Sequence, residues 1–204
     1  CFAGCEAAPT PATAGSEDLA FLTAKRLNTV AGWLEFIKAW PESSFLSSAQ
    51  DGIVTLFFDH TPEAKTYYGK YDMLKGPPAL LEAMHHGGKV ADQRDQEYQA
   101  AVFYQLACHS GLGKACPDLA KAIGNGYLDE DAFQTADGSV DREARREAVA
   151  VSYQIGCAYS DPTSCSWLRE NGMEVPAPCM VKEGEEYYNF CEDSGITPVP
   201  VDGR

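Results

Sequence analysis

The 204-residue chain has no run of 18 apolar residues, so none of it reads as a membrane-spanning helix. Basic side chains are scarce: 16 Lys and Arg stand against 30 Asp and Glu, a formal charge of −14. Such a surface repels phosphate backbones and anionic head groups, which argues against nucleic acid as a partner. There are no Cys-x-x-Cys knuckles of the kind a structural zinc site uses, and no Cys-x-x-Cys-His for covalent haem. Ser-x-x-Lys, Lys-Thr-Gly, Gly-x-Ser-x-Gly and His-Glu-x-x-His are missing too, so no recognisable acyl-transfer or metallopeptidase signature is present. Gly111-Leu112-Gly113 lacks the third glycine and the preceding strand that would cradle a phosphate.

What is present describes a folded protein. Hydrophobic residues make up 45% and aromatics 11%, too rich for a disordered chain and enough for a real core. Eight cysteines are many for a reducing compartment, and the even count favours disulfides in an oxidising one. The chain opens on Cys1, followed through residue 15 by small residues and proline, which reads as a flexible tether. A leading cysteine with such a tether resembles a bacterial lipoprotein, and the resemblance implies lipidation of Cys1 and a membrane contact through the lipid. A Cys1–Cys5 disulfide is the alternative.

Apolar residues recur at helical spacing along most of the chain. Ser16 is expected to cap a first helix carrying Leu19, Leu22, Ala24 and Leu27, and Thr29 a second carrying Trp33, Phe36, Ile37 and Trp40 up to Pro41. A third should run from about Ser44 to Phe58, although Ile53 to Phe58 could equally form a buried strand. Thr61-Pro62-Glu63 starts a helix predicted to reach Gly76, and Pro77-Pro78 a short one ending at Gly87-Gly88. Further helices are expected over 92–109, 115–123, 141–159 and 164–170, with a short one at Glu185 to Phe190.

Two segments match without gaps at an offset of 49. Tyr104-Gln105-x-x-Cys108 leads to Cys116 and Leu119, and Tyr153-Gln154-x-x-Cys157 leads to Cys165 and Leu168. Each is predicted as helix, turn and helix, the pattern of a stacked repeat. In such a hairpin the end of one helix lies beside the start of the next, so cysteines eight apart can meet and staple it. Pairing is expected for Cys108 with Cys116, Cys157 with Cys165 and, from proximity in sequence alone, Cys179 with Cys191.

These residues resemble the cysteine-rich Sel-like subset of tetratricopeptide repeats, as in the Helicobacter cysteine-rich protein family. The resemblance covers 92–172, with an insertion expected between Tyr127 and Asp141. Trp33-Leu34-Glu35-Phe36 with Trp40-Pro41-Glu42-Ser43 also looks like tetratricopeptide-like helices of envelope proteins. The fold class expected is all-α: antiparallel helix-turn-helix repeats stacked into a short disulfide-stapled solenoid. Its organisation would be a tether over 1–15, a tetratricopeptide-like region over 16–91, two Sel-like stapled repeats over 92–172 and a Pro/Gly-rich C-terminal extension over 173–204.

Candidate chemistry is sparse. His85 and His86 could bind a metal with His60, but adjacent helical residues diverge by about 100°, and a cationic helix C-terminus explains the pair better. His109 beside Cys108 suggests a Cys–His nucleophile, yet Cys108 is better read as half of a staple. The acidic runs Asp129-Glu130-Asp131 and Glu183 to Glu186 read as solvated faces. No catalytic residue, metal site or cofactor is assigned.

The expectation is therefore a non-catalytic exported lipoprotein of the periplasm or cell envelope, or a secreted protein. It would act as a helical-repeat scaffold or accessory subunit for a protein partner, such as a membrane-complex subunit. The family resemblance supplies two alternatives: an enzyme binding β-lactam or peptidoglycan ligands, and a haem- or metal-handling assembly factor. Which of Trp33, Trp40, Tyr67, Tyr68, Tyr187 and Tyr188 escape the core is left open.

Overall fold

A computed structural model describes residues 14–69, 73–128, 133–135, 138–176, 180–183 and 186–189. The described chain is mostly helical: α1 (Ala14–Leu27), α2 (Val30–Ala39), α3 (Leu46–Phe58), α4 (Pro62–Lys65), α5 (Pro78–Asp92), α6 (Glu97–His109), α7 (Cys116–Asn125), α8 (Arg142–Ala158) and α9 (Pro162–Glu170). A two-stranded antiparallel hairpin follows, β1 (Met180–Glu183) and β2 (Glu186–Asn189), with Lys182 opposite Tyr187. Helices pack chiefly on their sequence neighbours, in the succession α1–α2–α3–α5–α6–α7–α8–α9.

Local chemistry explains most boundaries. The Thr29 hydroxyl accepts from the Gly32 N–H at 3.0 Å to cap α2, and the helix stops at Ala39 before Pro41. The same N-terminus is capped from afar, because Val30 and Ala31 donate their N–H groups to the Glu63 carboxylate at 2.9 and 3.0 Å. Trp33, Leu34, Phe36 and Ile37 are buried on α2, and Ala49, Ile53, Leu56 and Phe57 on α3, which settles residues 53–58 as helix. Gly126, at φ +85°, terminates α7 in the left-handed conformation that glycine adopts without a Cβ penalty.

Each stapled hairpin closes as the spacing requires. The Cys108–Cys116 disulfide joins the end of α6 to the start of α7 with Cα atoms 4.8 Å apart, and Cys157–Cys165 joins α8 to α9 at 4.7 Å. The turns between are unlike: Gly111, at φ +109°, and a 3-10 turn at Gly113–Ala115 serve the first. In the second, Asp161 caps α9 by accepting from both the N–H and the hydroxyl of Ser164 at 2.7 Å, with Pro162 at the first helical position.

Several expectations are corrected. Ser16 does not cap α1, which already begins at Ala14 and so enters the segment read as a tether. Thr61 does cap a helix, accepting from Ala64 N–H, but α4 lasts one turn; Tyr68 then bridges to Leu74. Gly87 and Gly88 do not end α5, which continues to Asp92. They lie buried mid-helix, where a Cβ at Gly87 would meet Val54 and one at Gly88 would meet the Tyr104 ring. Close helix contact outweighs the helix-breaking tendency of glycine there. Residues 92–96 are divided between the end of α5 and a connecting turn, so α6 starts at Glu97. The helix expected at Glu185 to Phe190 is replaced by β2, whose Tyr187-Tyr188 pair suits a strand. The described residues are mostly helical, as expected, with one small β-hairpin after α9. Cys1, Cys5, Cys179 and Cys191 lie outside the described residues.

Candidate functional site

Tyr98, Val102, Gln105 and His109 recur along α6 at intervals of four, three and four, and so share one face of the helix. Two cavities flank that face. The first, of about 260 Å³, lies where the end of α3 approaches α6, and is lined by Phe57, Phe58, His60, Tyr68, Tyr98, Val102 and Phe103 among others. Phe58 and Tyr98 stand at its rim, 56% and 54% exposed, large aromatic surfaces that the fold leaves in water. Phe57 forms the buried floor, with the rings of Tyr67 and Tyr68 tilted against it at 6.2 and 5.8 Å.

The second cavity, of about 350 Å³, opens between α6, α7 and α8. Its walls are apolar, from Leu119, Ile123, Leu128, Phe133, Ala148 and Val151, with Gln105, His109, Glu147 and Ser152 supplying polar groups. Burial pushes the His109 imidazole down from about 6.5 to about 4, so it is neutral at physiological pH. Glu147 is exposed at the opening, and Arg145 lies over the Phe133 ring at 5.8 Å. Side chains of α6 thus serve both cavities, an arrangement able to seat apolar groups of a ligand on either side of one rigid helix.

The histidines singled out in the sequence are not brought together. His85 Nε2 lies 2.7 Å from Asp118 Oδ2 in the first turn of α7, and His86 Nε2 lies 3.1 Å from Asp51 on α3. Both sit inside α5, so neither terminates a helix, and each instead ties α5 to a neighbour. His60, at φ +50°, lines the first cavity. Among the described residues no group of three His, Cys, Asp or Glu is placed to hold a metal ion. Cys108 is oxidised and unavailable as a thiolate beside His109. Near the His85–Asp118 contact, burial first and the Asp118 charge second raise the phenols of Tyr104 and Tyr153 above their ordinary value, which keeps both neutral.

Of the aromatics left open, Trp33 is buried, Trp40 lines a separate groove between α1 and α2, and Tyr67 and Tyr68 are partly buried. Tyr187 and Tyr188 belong to β2, beyond the described side chains. The aromatics that do reach solvent, Phe58 and Tyr98, were not among those named. Their signal was positional: Phe58 is the last residue of α3, and Tyr98 begins the four-three-four stripe on α6.

No protein-family model matches the chain, and neither the curated proteins nor the solved structures compared with it give a match.

Proposed function

We propose that the protein is a disulfide-stapled helical-repeat scaffold of an oxidising compartment, related to the cysteine-rich Sel-like repeats, whose α6 face binds a polypeptide partner. Nearest-neighbour helix packing and two stapled hairpins at a 49-residue offset support a short solenoid, in which rigid stacked pairs present extended binding surfaces. The observation that carries the reading is the pair of cavities flanking α6, with Phe58 and Tyr98 exposed at the rim of one. Exposed aromatics over a preformed apolar cavity are typical anchors of a protein interface. With a chain charge of −14, the partner's contact surface would be basic or apolar. The oxidised staples favour an extracytoplasmic location; attachment through a lipid on Cys1 is part of the proposal and is read directly by intact mass.

Site-specific photo-cross-linking tests the face. A photoreactive phenylalanine analogue at position 98 should capture one defined partner in the cell, and the same analogue at Lys121, exposed on α7 away from both cavities, should not. Equal capture from both positions overturns the assignment.

A further inference from the structure

Of the nine residues lining the cavity between α3 and α6, five are Phe or Tyr: Phe57, Phe58, Tyr68, Tyr98 and Phe103. The Phe57 and Tyr68 rings meet at 5.8 Å with their planes tilted by 50°, so they form adjoining walls rather than a stack. Phe58 and Tyr98 rise into solvent at the rim. Val102 and Leu106 are the aliphatic part of the lining, and His60 and Gln99 the polar part. No Asp, Glu, Lys or Arg among the described residues lines it. Aromatic rings carry partial negative charge on their faces, so a cavity walled by several of them attracts a cation without needing a carboxylate.

The surroundings add to that attraction. Phe57 and Phe58 are the last two residues of α3, where the helix dipole gathers partial negative charge. Asp59, the C-cap of α3, is exposed between the lining residues Phe58 and His60. Across the cavity, Glu97 precedes Tyr98 in the first turn of α6 and offsets the positive end of that helix. The chain as a whole carries −14, which raises the concentration of cations at its surface. The lining then selects among cations. A primary ammonium brings three N–H donors that must exchange water for acceptors, and no carboxylate lines the cavity to receive them. A quaternary ammonium has no donor to satisfy and suits an aromatic enclosure. A zwitterion is disfavoured, because its anionic group finds neither Lys nor Arg in the lining.

We infer that this cavity binds the quaternary ammonium group of a small, net cationic molecule of the choline class, held against Phe58, Tyr98 and the rings beneath them. The inference does not rest on the polypeptide reading of the α6 face, which cross-linking at position 98 tests separately.

A saturation-transfer NMR titration of the full 204-residue chain with three probes is the test. The probes are choline, its uncharged isostere 3,3-dimethyl-1-butanol, and the zwitterion glycine betaine. Choline should bind with a dissociation constant of about 1 mM or below, and should still do so at about 150 mM salt, where attraction to the net charge alone is screened. The isostere and the zwitterion should each bind at least about tenfold more weakly. Phe58→Leu/Tyr98→Leu keeps the rim apolar and removes its rings; with its fold established by circular dichroism, it should weaken choline by about tenfold and leave the isostere unchanged. No saturation transfer to choline at about 10 mM, equal affinity for choline and its isostere, or a choline affinity indifferent to the double variant would each overturn the proposal.

Discussion

Gly156 on α8 lies against Cys116 at the start of α7: a Cβ built on the glycine would stand 2.9 Å from the cysteine Cβ, and it would also collide with Ser164. The residue preceding the second staple therefore packs on the first staple itself. This contact places the two hairpins in register, and it tolerates no side chain larger than hydrogen.

Gly156→Ala should accordingly destabilise the protein, by about 1–3 kcal/mol as for other overpacked sites, despite the better helix propensity of alanine. Gly124→Ala is the contrast. Its Cβ would meet only Val149 at an ordinary 3.8 Å, so that variant should be neutral or slightly more stable. Urea denaturation of both variants measures the difference.

Each staple closes a short loop, for which the chain-entropy model gives about 2.6 kcal/mol. Replacing Cys108 and Cys116 together by serine should lower the unfolding free energy by roughly that amount, and the Cys157/Cys165 pair likewise. Because the hairpins touch through Gly156, removing both staples should cost more than the two losses added. Denaturant melts of the two double variants and the quadruple variant report this.

His109 gives the protein an acid sensitivity of defined sign. Its folded-state pKa, about 4, lies below the unfolded value near 6.5, so the unfolded chain takes up the proton first as pH falls. The contribution is constant above about pH 6.5, is lost between about 6.5 and 4 at up to about 1.4 kcal/mol per pH unit, and levels off below. His109→Gln should flatten this part of the stability profile. An unchanged slope in that variant would assign the sensitivity to other groups.

The hairpin staples, the caps at Thr29 and Thr61 and the stop at Pro41 were legible in the sequence because each is set by local chemistry within a few residues. Gly87-Gly88 misled for the opposite reason. Glycines read locally as a terminus were selected by rings and methyls on other helices, Tyr104 and Val54, which only the tertiary fold brings near. The His85–Asp118 contact, spanning 33 residues, was hidden in the same way. The face proposed to bind was half legible: the α6 stripe is a sequence pattern, but the cavities beside it depend on how α3 and α8 approach.

The most direct test is the dissociation constant of the partner cross-linked through position 98, measured for wild type and for Phe58→Ala/Tyr98→Ala. Truncating two exposed aromatics should leave folding intact and weaken binding by at least about tenfold, whereas Leu22→Glu on α1 should leave it unchanged. Equal affinity of the wild type and the double-alanine variant would contradict the assignment of the α6 face as the place where the partner docks.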